Sequence, residues 1–142
     1  MKNKMKNKMK LTAIIIISGL MLFGIQSCKK YEDGPMFSLS SRTQRVANKW
    51  KVDNYKVNGT DYTSLVSDYT ETYTKAGAYS YQWGILSGTG TWAFQNNDAE
   101  ILITGIDNQS TVTLVIQKLE EKQFWYYIMD GSDKKEYHMI QY

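Results

Sequence analysis

Cysteine and histidine are scarce in this chain of 142 residues, which contains one of each, Cys28 and His138. A single cysteine excludes a disulfide within the chain, and one cysteine with one histidine is too few for a zinc site of nitrogen and sulfur ligands. The motifs of serine hydrolases, phosphate-binding loops and zinc metalloproteases are also missing from the sequence. We therefore expect no metal site, no cofactor and no enzymatic activity, with His138 a solvated residue on a strand.

Long hydrophobic segments are lacking as well. The apolar run at residues 11–25 has 15 residues, whereas a membrane-spanning helix needs about 20. The run follows a basic block that contains five lysines, Lys2, Lys4, Lys6, Lys8 and Lys10. A basic start, a short apolar run and then small residues form the pattern of a secretory signal. We expect residues 1–27 to be a signal peptide.

The excess of basic charge is confined to that segment. The chain has 17 Lys plus Arg and 14 Asp plus Glu; without the five lysines of the signal, 12 basic and 14 acidic residues remain, a net charge of −2. The remaining basic residues are spread among acidic ones rather than clustered. Composition therefore gives no indication of a nucleic-acid partner.

Cys28 stands directly after the signal segment. Residues 25–28, Ile-Gln-Ser-Cys, resemble the bacterial lipobox, in which a branched apolar residue precedes the cysteine by three positions. The resemblance implies that the chain is cut before Cys28, that its sulfur carries a diacylglycerol and that its new amino group is acylated, for example with palmitate. An ordinary buried cysteine is the alternative, but Lys29 and Lys30 follow at once. Because two or more acyl chains give stable anchoring, we expect a protein tethered to the bilayer of the outer membrane, at its periplasmic face or at the cell surface.

The remainder of the chain divides into a tether and one domain. Residues 28–40 combine charged and small residues with a Gly-Pro pair, which is typical of a flexible spacer. Residues 41–142 are long enough for a single domain with a modest core. Ser40 or Ser41 is expected to cap a short helix that extends to Asn48.

Strand-forming residues dominate beyond Trp50, where threonine, tyrosine, valine and isoleucine are frequent. Turn residues separate eight short segments with no crossover helix between them. The expected strands are residues 50–57, 69–74, 79–83, 91–95, 100–104, 110–119, 123–129 and 134–141. This all-β antiparallel meander is expected to close into an eight-stranded up-and-down barrel, because closure removes free sheet edges. A sandwich of two sheets is the alternative, since periodicity does not distinguish the two.

Two motifs resemble those of lipocalin-like domains in Bacteroidetes lipoproteins. Asn48-Lys49-Trp50 is similar to their opening Gly-x-Trp signature, with Asn48 in place of glycine, and residues 87–94, SGTGTWAF, resemble their mid-barrel GTW strand. The hairpin YTETYTKAGAYSY, which those domains also show, precedes it. The resemblance runs in order across residues 46–142. It implies a ligand-binding or scaffold domain with Trp50 near the closed end of the barrel, under the N-terminal helix.

Aromatic residues recur at alternate positions, which places each set on one face of its strand. The candidate ligand-binding residues are Tyr69, Tyr73, Tyr79, Tyr81, Trp83, Trp92 and Phe94. These side chains either fill the barrel as core or line a cavity of about 300 Å³ or more, whose tyrosine hydroxyls anchor a small apolar or amphipathic ligand.

Residues 124–129, Phe-Trp-Tyr-Tyr-Ile-Met, are apolar on both faces of a strand. With Phe124 inside, Trp125, Tyr127 and Met129 face outward and either form a patch for an envelope protein or lie beneath the tether or the N-terminal helix. Two functions therefore compete: binding of a small ligand inside the barrel, and a filled barrel that serves as a structural or protein-interaction module.

Overall fold

The computed structural model describes residues 39–107 and 110–142. The expected signal peptide, the acylated Cys28 and nearly all of the expected tether lie outside the described residues, so those hypotheses remain predictions. No helix within the described ranges is both long enough and apolar enough to cross a membrane.

Within the described residues, one short α-helix, α1, covers Arg42–Val46. Its N-cap is Ser41, whose side chain accepts a hydrogen bond from the Gln44 amide, while the Gln44 side chain accepts from the Ser41 amide. This reciprocal capping box satisfies two amides that the first helical turn leaves unpaired. Of the two predicted caps, Ser40 and Ser41, the structure has Ser41, and the helix ends at Val46, before the expected Asn48.

Nine strands form one antiparallel sheet in which the order follows the chain, apart from β2, and β1 also pairs with β9. The strands are β1 (Lys49–Val57), β2 (Thr60–Asp61), β3 (Thr70–Tyr73), β4 (Ala78–Trp83), β5 (Leu86–Gln95), β6 (Glu100–Ile106), β7 (Ser110–Leu119), β8 (Gln123–Asp130) and β9 (Asp133–Gln141). A 3₁₀ turn at Thr63–Leu65 connects β2 to β3. The pairing of β1 with β9 closes β1 and β3 to β9 into an eight-stranded barrel, which confirms the predicted fold and excludes the open sandwich.

Two local features differ from the sequence-based prediction. The extra strand β2 folds back on β1 through Asn58 and Gly59, whose φ angles of 49° and 83° are typical of a tight Asn-Gly hairpin turn. Strand β5 begins at Leu86 rather than at residue 91, because Gly88 and Gly90 pair with β4 instead of forming a loop. Glycine content alone therefore suggested a loop where the ladder continues.

The two ends of the barrel differ. At the end that carries α1, the Trp50 indole donates a hydrogen bond of 2.9 Å to the Val46 carbonyl, and both side chains are fully buried. Tyr73 packs edge-on against Trp92 and Phe124, with ring centroids 5.8 Å apart in each pair. These contacts fill the barrel interior beneath the helix, as the resemblance implied for Trp50. We call this the closed half and the opposite end the open half.

Candidate binding cavity

A cavity of about 190 Å³ lies in the open half of the barrel. Five tyrosines line it: Tyr69, Tyr79, Tyr81, Tyr126 and Tyr137. Aliphatic side chains complete most of the wall: Ile103, Ile106, Val112, Leu114 and Ile128. The volume is smaller than the expected 300 Å³, so any ligand must be compact: an apolar protein cavity of about 150 Å³ admits benzene.

The floor of the cavity holds a buried carboxylate, Glu71, which is 2% exposed. Its Oε1 accepts hydrogen bonds from the hydroxyls of Tyr69, Tyr79 and Tyr126, at 2.8, 3.0 and 2.9 Å. Its Oε2 accepts one from Tyr73 at 2.9 Å. Because Tyr73 belongs to the closed half, Glu71 connects the packed aromatic core with the cavity above it.

Opposing effects act on the ionisation of this cluster. Burial raises the pKa of Glu71 above its usual 4.5, while the four tyrosine hydrogen bonds lower it and offset part of that rise. Burial, and then the negative charge of Glu71, raise the pKa of all four tyrosines that contact it. The phenols therefore remain protonated and act as donors to the carboxylate.

Alternation along β3 places this carboxylate inside the barrel. Tyr69, directly before β3, occupies every second position with Glu71 and Tyr73, so a chain that turns the partly buried Tyr69 and the buried Tyr73 inward also turns the residue between them inward. The sequence analysis missed Glu71, although its spacing from the two tyrosines was the signal that could have revealed it. A single acidic residue between two aromatic residues on an inward face indicates that a carboxyl group is buried there, and such a group is a candidate for function as well as for the core.

Glycines on β5 make room for the Tyr81 ring and for the backbone of β6. Gly88 pairs with Tyr81 and Gly90 pairs with Tyr79. A Cβ at Gly88 would lie 2.4 Å from the Tyr81 ring, and one at Gly90 would lie 2.4 Å from the Thr104 carbonyl oxygen. Glycine within a strand marks a position of close approach. The SGTGTW segment therefore shapes the cavity wall rather than a loop.

Polar side chains reach the surface where the cavity ends. The Tyr81 hydroxyl donates a 2.9 Å hydrogen bond to Oδ2 of Asp107, and this bond raises the pKa of Tyr81. The Ser110 hydroxyl donates to the Ile106 carbonyl at 2.6 Å. Asp107 and Ser110 are exposed and line the cavity, so it opens to solvent beside the connection between β6 and β7.

The barrel wall also has a gap on one side. The ladder between β7 and β8 runs from the Leu119–Phe124 pair to the Val115–Tyr127 pair and ends there, although both strands continue to pair with their other neighbours. A groove at this gap is lined by Thr111, Val112, Thr113, Val115, Ile128, Met129 and Asp130. Val112 and Ile128 belong to the groove and to the cavity alike. The cavity and the groove are therefore adjacent at these two aliphatic residues.

The seven candidate residues do not form one site. Tyr69, Tyr79 and Tyr81 line the cavity. Tyr73 and Trp92 are buried in the closed half, and Phe94 packs against Trp92 with ring centroids 5.5 Å apart. Trp83 ends β4 and is 40% exposed. Of the two interpretations of the aromatic pattern, core filling describes the closed half and a lined cavity describes the open half.

Strand β8 alternates as expected, with Phe124 and Tyr126 buried and Met129 57% exposed. Its outward rings are partly covered. Lys118 Nζ lies 4.3 Å from the centre of the Trp125 ring, and Lys134 Nζ lies 4.6 Å from that of Tyr127. These cation-π contacts make the outer face of β8 less apolar than its sequence suggests.

His138, on the neighbouring strand β9, stacks on the Trp125 ring. The two ring centroids are 4.2 Å apart, and the ring planes are 10° from parallel. Burial, followed by the positive charge of Lys56, lowers the His138 pKa. The sequence analysis expected a freely solvated histidine, whereas His138 is half-buried in the structure.

Comparison with models of known protein families gives no match, and neither does comparison with curated proteins. Within residues 39–107 and 110–142, no group of three or more histidine, cysteine, aspartate or glutamate side chains is placed to hold a metal ion. The cavity, which combines an aromatic and aliphatic wall with the buried carboxyl group of Glu71, is the candidate functional site.

Proposed function

We propose that this protein is a lipid-anchored lipoprotein of the bacterial cell envelope whose lipocalin-like barrel binds a small amphipathic ligand. The observation that carries the binding function is the 190 Å³ cavity whose aromatic and aliphatic wall surrounds a hydrogen-bonded carboxylate. Ligand sites combine an apolar wall with few polar anchors in this way. The anchor rests on the lipobox-like residues that end at Cys28.

The ligand reaches the cavity from the open end or through the gap between β7 and β8. At the gap, the side chains of Val112 and Ile128 line both the groove and the cavity. Strand ladders resist opening because each step breaks hydrogen bonds, whereas aliphatic side chains change rotamer within nanoseconds when exposed. The missing ladder therefore supports a side opening.

Native mass spectrometry of the protein purified from its own envelope tests ligand binding. We expect a bound molecule small enough for 190 Å³, and we expect it to be lost from a Val112→Phe variant, in which a phenyl ring occupies the cavity. Val115→Phe is the matched control, since Val115 lines the outer groove and not the cavity. Identical spectra for the wild type and Val112→Phe would contradict the proposal.

The competing function is a protein-interaction module that uses the outer face of β8. The outward-facing Met129 side chain, which is 57% exposed, favours it. Alanine at Trp125 and Tyr127 should then remove an envelope partner from a pull-down while leaving the cavity ligand in place. Unchanged partners would eliminate this alternative.

A further inference from the structure

Most of the hydroxyls around the cavity already donate their protons to acceptors within the protein. Six hydroxyl-bearing side chains line it, and five of them donate within the protein: Tyr69, Tyr79 and Tyr126 to Glu71, Tyr81 to Asp107, and Ser110 to the Ile106 carbonyl. A hydroxyl has one proton and two acceptor lone pairs. These five groups can therefore offer a ligand only acceptor positions.

The charges around the cavity have one sign. Its lining contains the carboxyl groups of Glu71 and Asp107, and no lysine or arginine is among the described residues that form it. A ligand carboxylate or phosphate would face two acidic groups and would find neither a cation nor a free donor at these hydroxyls. A ligand with a positive charge would be attracted to the Glu71 carboxylate, and burial strengthens this attraction because water screens it little.

The aromatic rings form a continuous wall suited to the same kind of ligand. Tyr69 stacks with Tyr81 at 6.1 Å between centroids, Tyr126 stacks with Tyr137 at 5.1 Å, and Tyr69 joins the two pairs through Tyr137 at 6.0 Å. Aromatic faces attract cations, and cages of aromatic rings recognise alkylammonium groups. Inorganic cations gain less binding free energy from an aromatic wall, because they lose their water of hydration and have no apolar surface to bury against the rings.

We propose that the cavity selects a small organic cation, a compact primary or quaternary amine, with the Glu71 carboxylate as its buried counter-charge. This assignment rests on the proposed ligand-binding function and narrows it. The hydroxyl oxygens of Tyr69, Tyr79 and Tyr126 accept hydrogen bonds from a primary ammonium group or contact the methyl groups of a quaternary one. Because each hydroxyl donates its own proton to Glu71, its oxygen is a stronger acceptor for the ligand. The apolar part of the ligand lies against Ile103 and Leu114, which also line the cavity.

Three probes of nearly equal size test the charge preference: benzylammonium, benzyl alcohol and benzoate. The full chain is purified from membranes in detergent and titrated by isothermal calorimetry, with empty micelles as the blank and sodium chloride as the inorganic-cation control. We expect benzylammonium to bind about tenfold more tightly than benzyl alcohol, given the strength of desolvated cation-π contacts, and benzoate not to bind. Glu71→Gln should reduce the preference for the cation to less than about threefold while retaining the affinity for the alcohol.

The other outcomes contradict either the amine assignment alone or ligand binding as a whole. Equal binding of the alcohol and the cation, or tighter binding of benzoate, would overturn the amine assignment and leave ligand binding intact. Absence of binding by all three probes, or binding that Val112→Phe leaves unchanged, would overturn both. If near-UV circular dichroism shows that Glu71→Gln does not fold, the comparison of the three probes on the wild-type protein still decides the charge preference.

Discussion

The hydroxyl of Tyr126 on β8 donates a hydrogen bond of 2.9 Å to Oε1 of Glu71 on β3, across the interior of the barrel. These strands are not neighbours in the sheet, and the two residues are 55 positions apart in the chain. A buried carboxylate is costly unless it is hydrogen-bonded, and here four phenols supply the bonds. The same interaction therefore ties two walls of the barrel together and places a negative charge in the cavity floor.

The stability of the protein should depend on pH through Glu71. Burial raises its pKa in the folded protein above the unfolded value, so Glu71 stabilises the fold fully below about pH 4.5 and loses that contribution as pH rises through the folded-state pKa. Relative to Glu71→Gln, the wild type should lose thermal stability as pH increases from about 4 upward. The groups that face the carboxyl are the phenols of Tyr69, Tyr73, Tyr79 and Tyr126, which do not titrate in this range.

This difference is measured by the melting temperatures of the wild type and of Glu71→Gln at pH values from about 3.5 to 8, a range that extends to both sides of a raised carboxyl pKa. A wild type that gains stability over Glu71→Gln as pH rises would mean that the four hydrogen bonds outweigh desolvation.

His138 should give the opposite dependence. Its pKa is lowered, first by burial, so its contribution to stability is present above the unfolded pKa of about 6.5 and is lost as pH falls through the folded-state pKa. His138→Gln, which keeps a polar side chain of similar reach against Trp125, should abolish this component of acid destabilisation. Urea denaturation at pH 7.5 and 5.5 (about one unit on either side of the ordinary histidine pKa) compares the variants, and an unchanged pH dependence would contradict the assignment.

Gly90→Ala should destabilise the barrel by about 1–3 kcal/mol, the usual cost of overpacking. The added Cβ would lie 2.4 Å from the Thr104 carbonyl oxygen, which belongs to the backbone of β6 and cannot rotate away. Thr89→Ala is the matched control, because Thr89 is the exposed neighbour on the same strand. Chemical denaturation measures both, and equal stability of the two variants would show that β5 and β6 separate freely at this point.

Trp50→Phe should loosen the closed end. The substitution leaves the Val46 carbonyl without the indole donor that reaches it at 2.9 Å, and a lost hydrogen bond to a buried group costs about 1–3 kcal/mol. We expect faster hydrogen exchange at the amides of Arg45 and Ala47, which donate to the carbonyls of Ser41 and Thr43 in α1. Trp83→Phe, the same change at an indole that is 40% exposed at the end of β4, provides the control. Unaltered exchange in α1 would mean that the helix is held by other contacts.

Cys28→Ser should release the protein from membranes. Without the sulfur no thioether to diacylglycerol forms, and the stable anchoring that several acyl chains provide is lost. Membrane fractionation and mass spectrometry of the mature N-terminus measure this change, with Ser27→Ala as a control that keeps a small residue before the cysteine. Equal membrane retention of Cys28→Ser and wild type would remove the basis for a lipid anchor.

Local sequence patterns were sufficient to predict eight of the nine described strands, their antiparallel order and a helix cap at Ser40 or Ser41, of which the structure has Ser41. Alternation also placed Phe124 and Tyr126 inside and Met129 outside β8. The start of β5 was predicted five residues late, because Gly88 and Gly90 suggest a loop unless their partners on β4 are known. Cross-strand partners are not contained in a local pattern.

The sequence by itself determined that this chain folds as an antiparallel meander of short strands, since a strand's alternation and its turn residues are local properties of the chain, whereas the pairing of β1 with β9 decided between a barrel and a sandwich. Only the tertiary structure decided which aromatic side chains pack and which surround a cavity, and that Glu71 meets phenols from three strands. Closure of the sheet brings those strands together. Residues such as Glu71 and Tyr126 become neighbours through that closure, and no spacing along the chain encodes it.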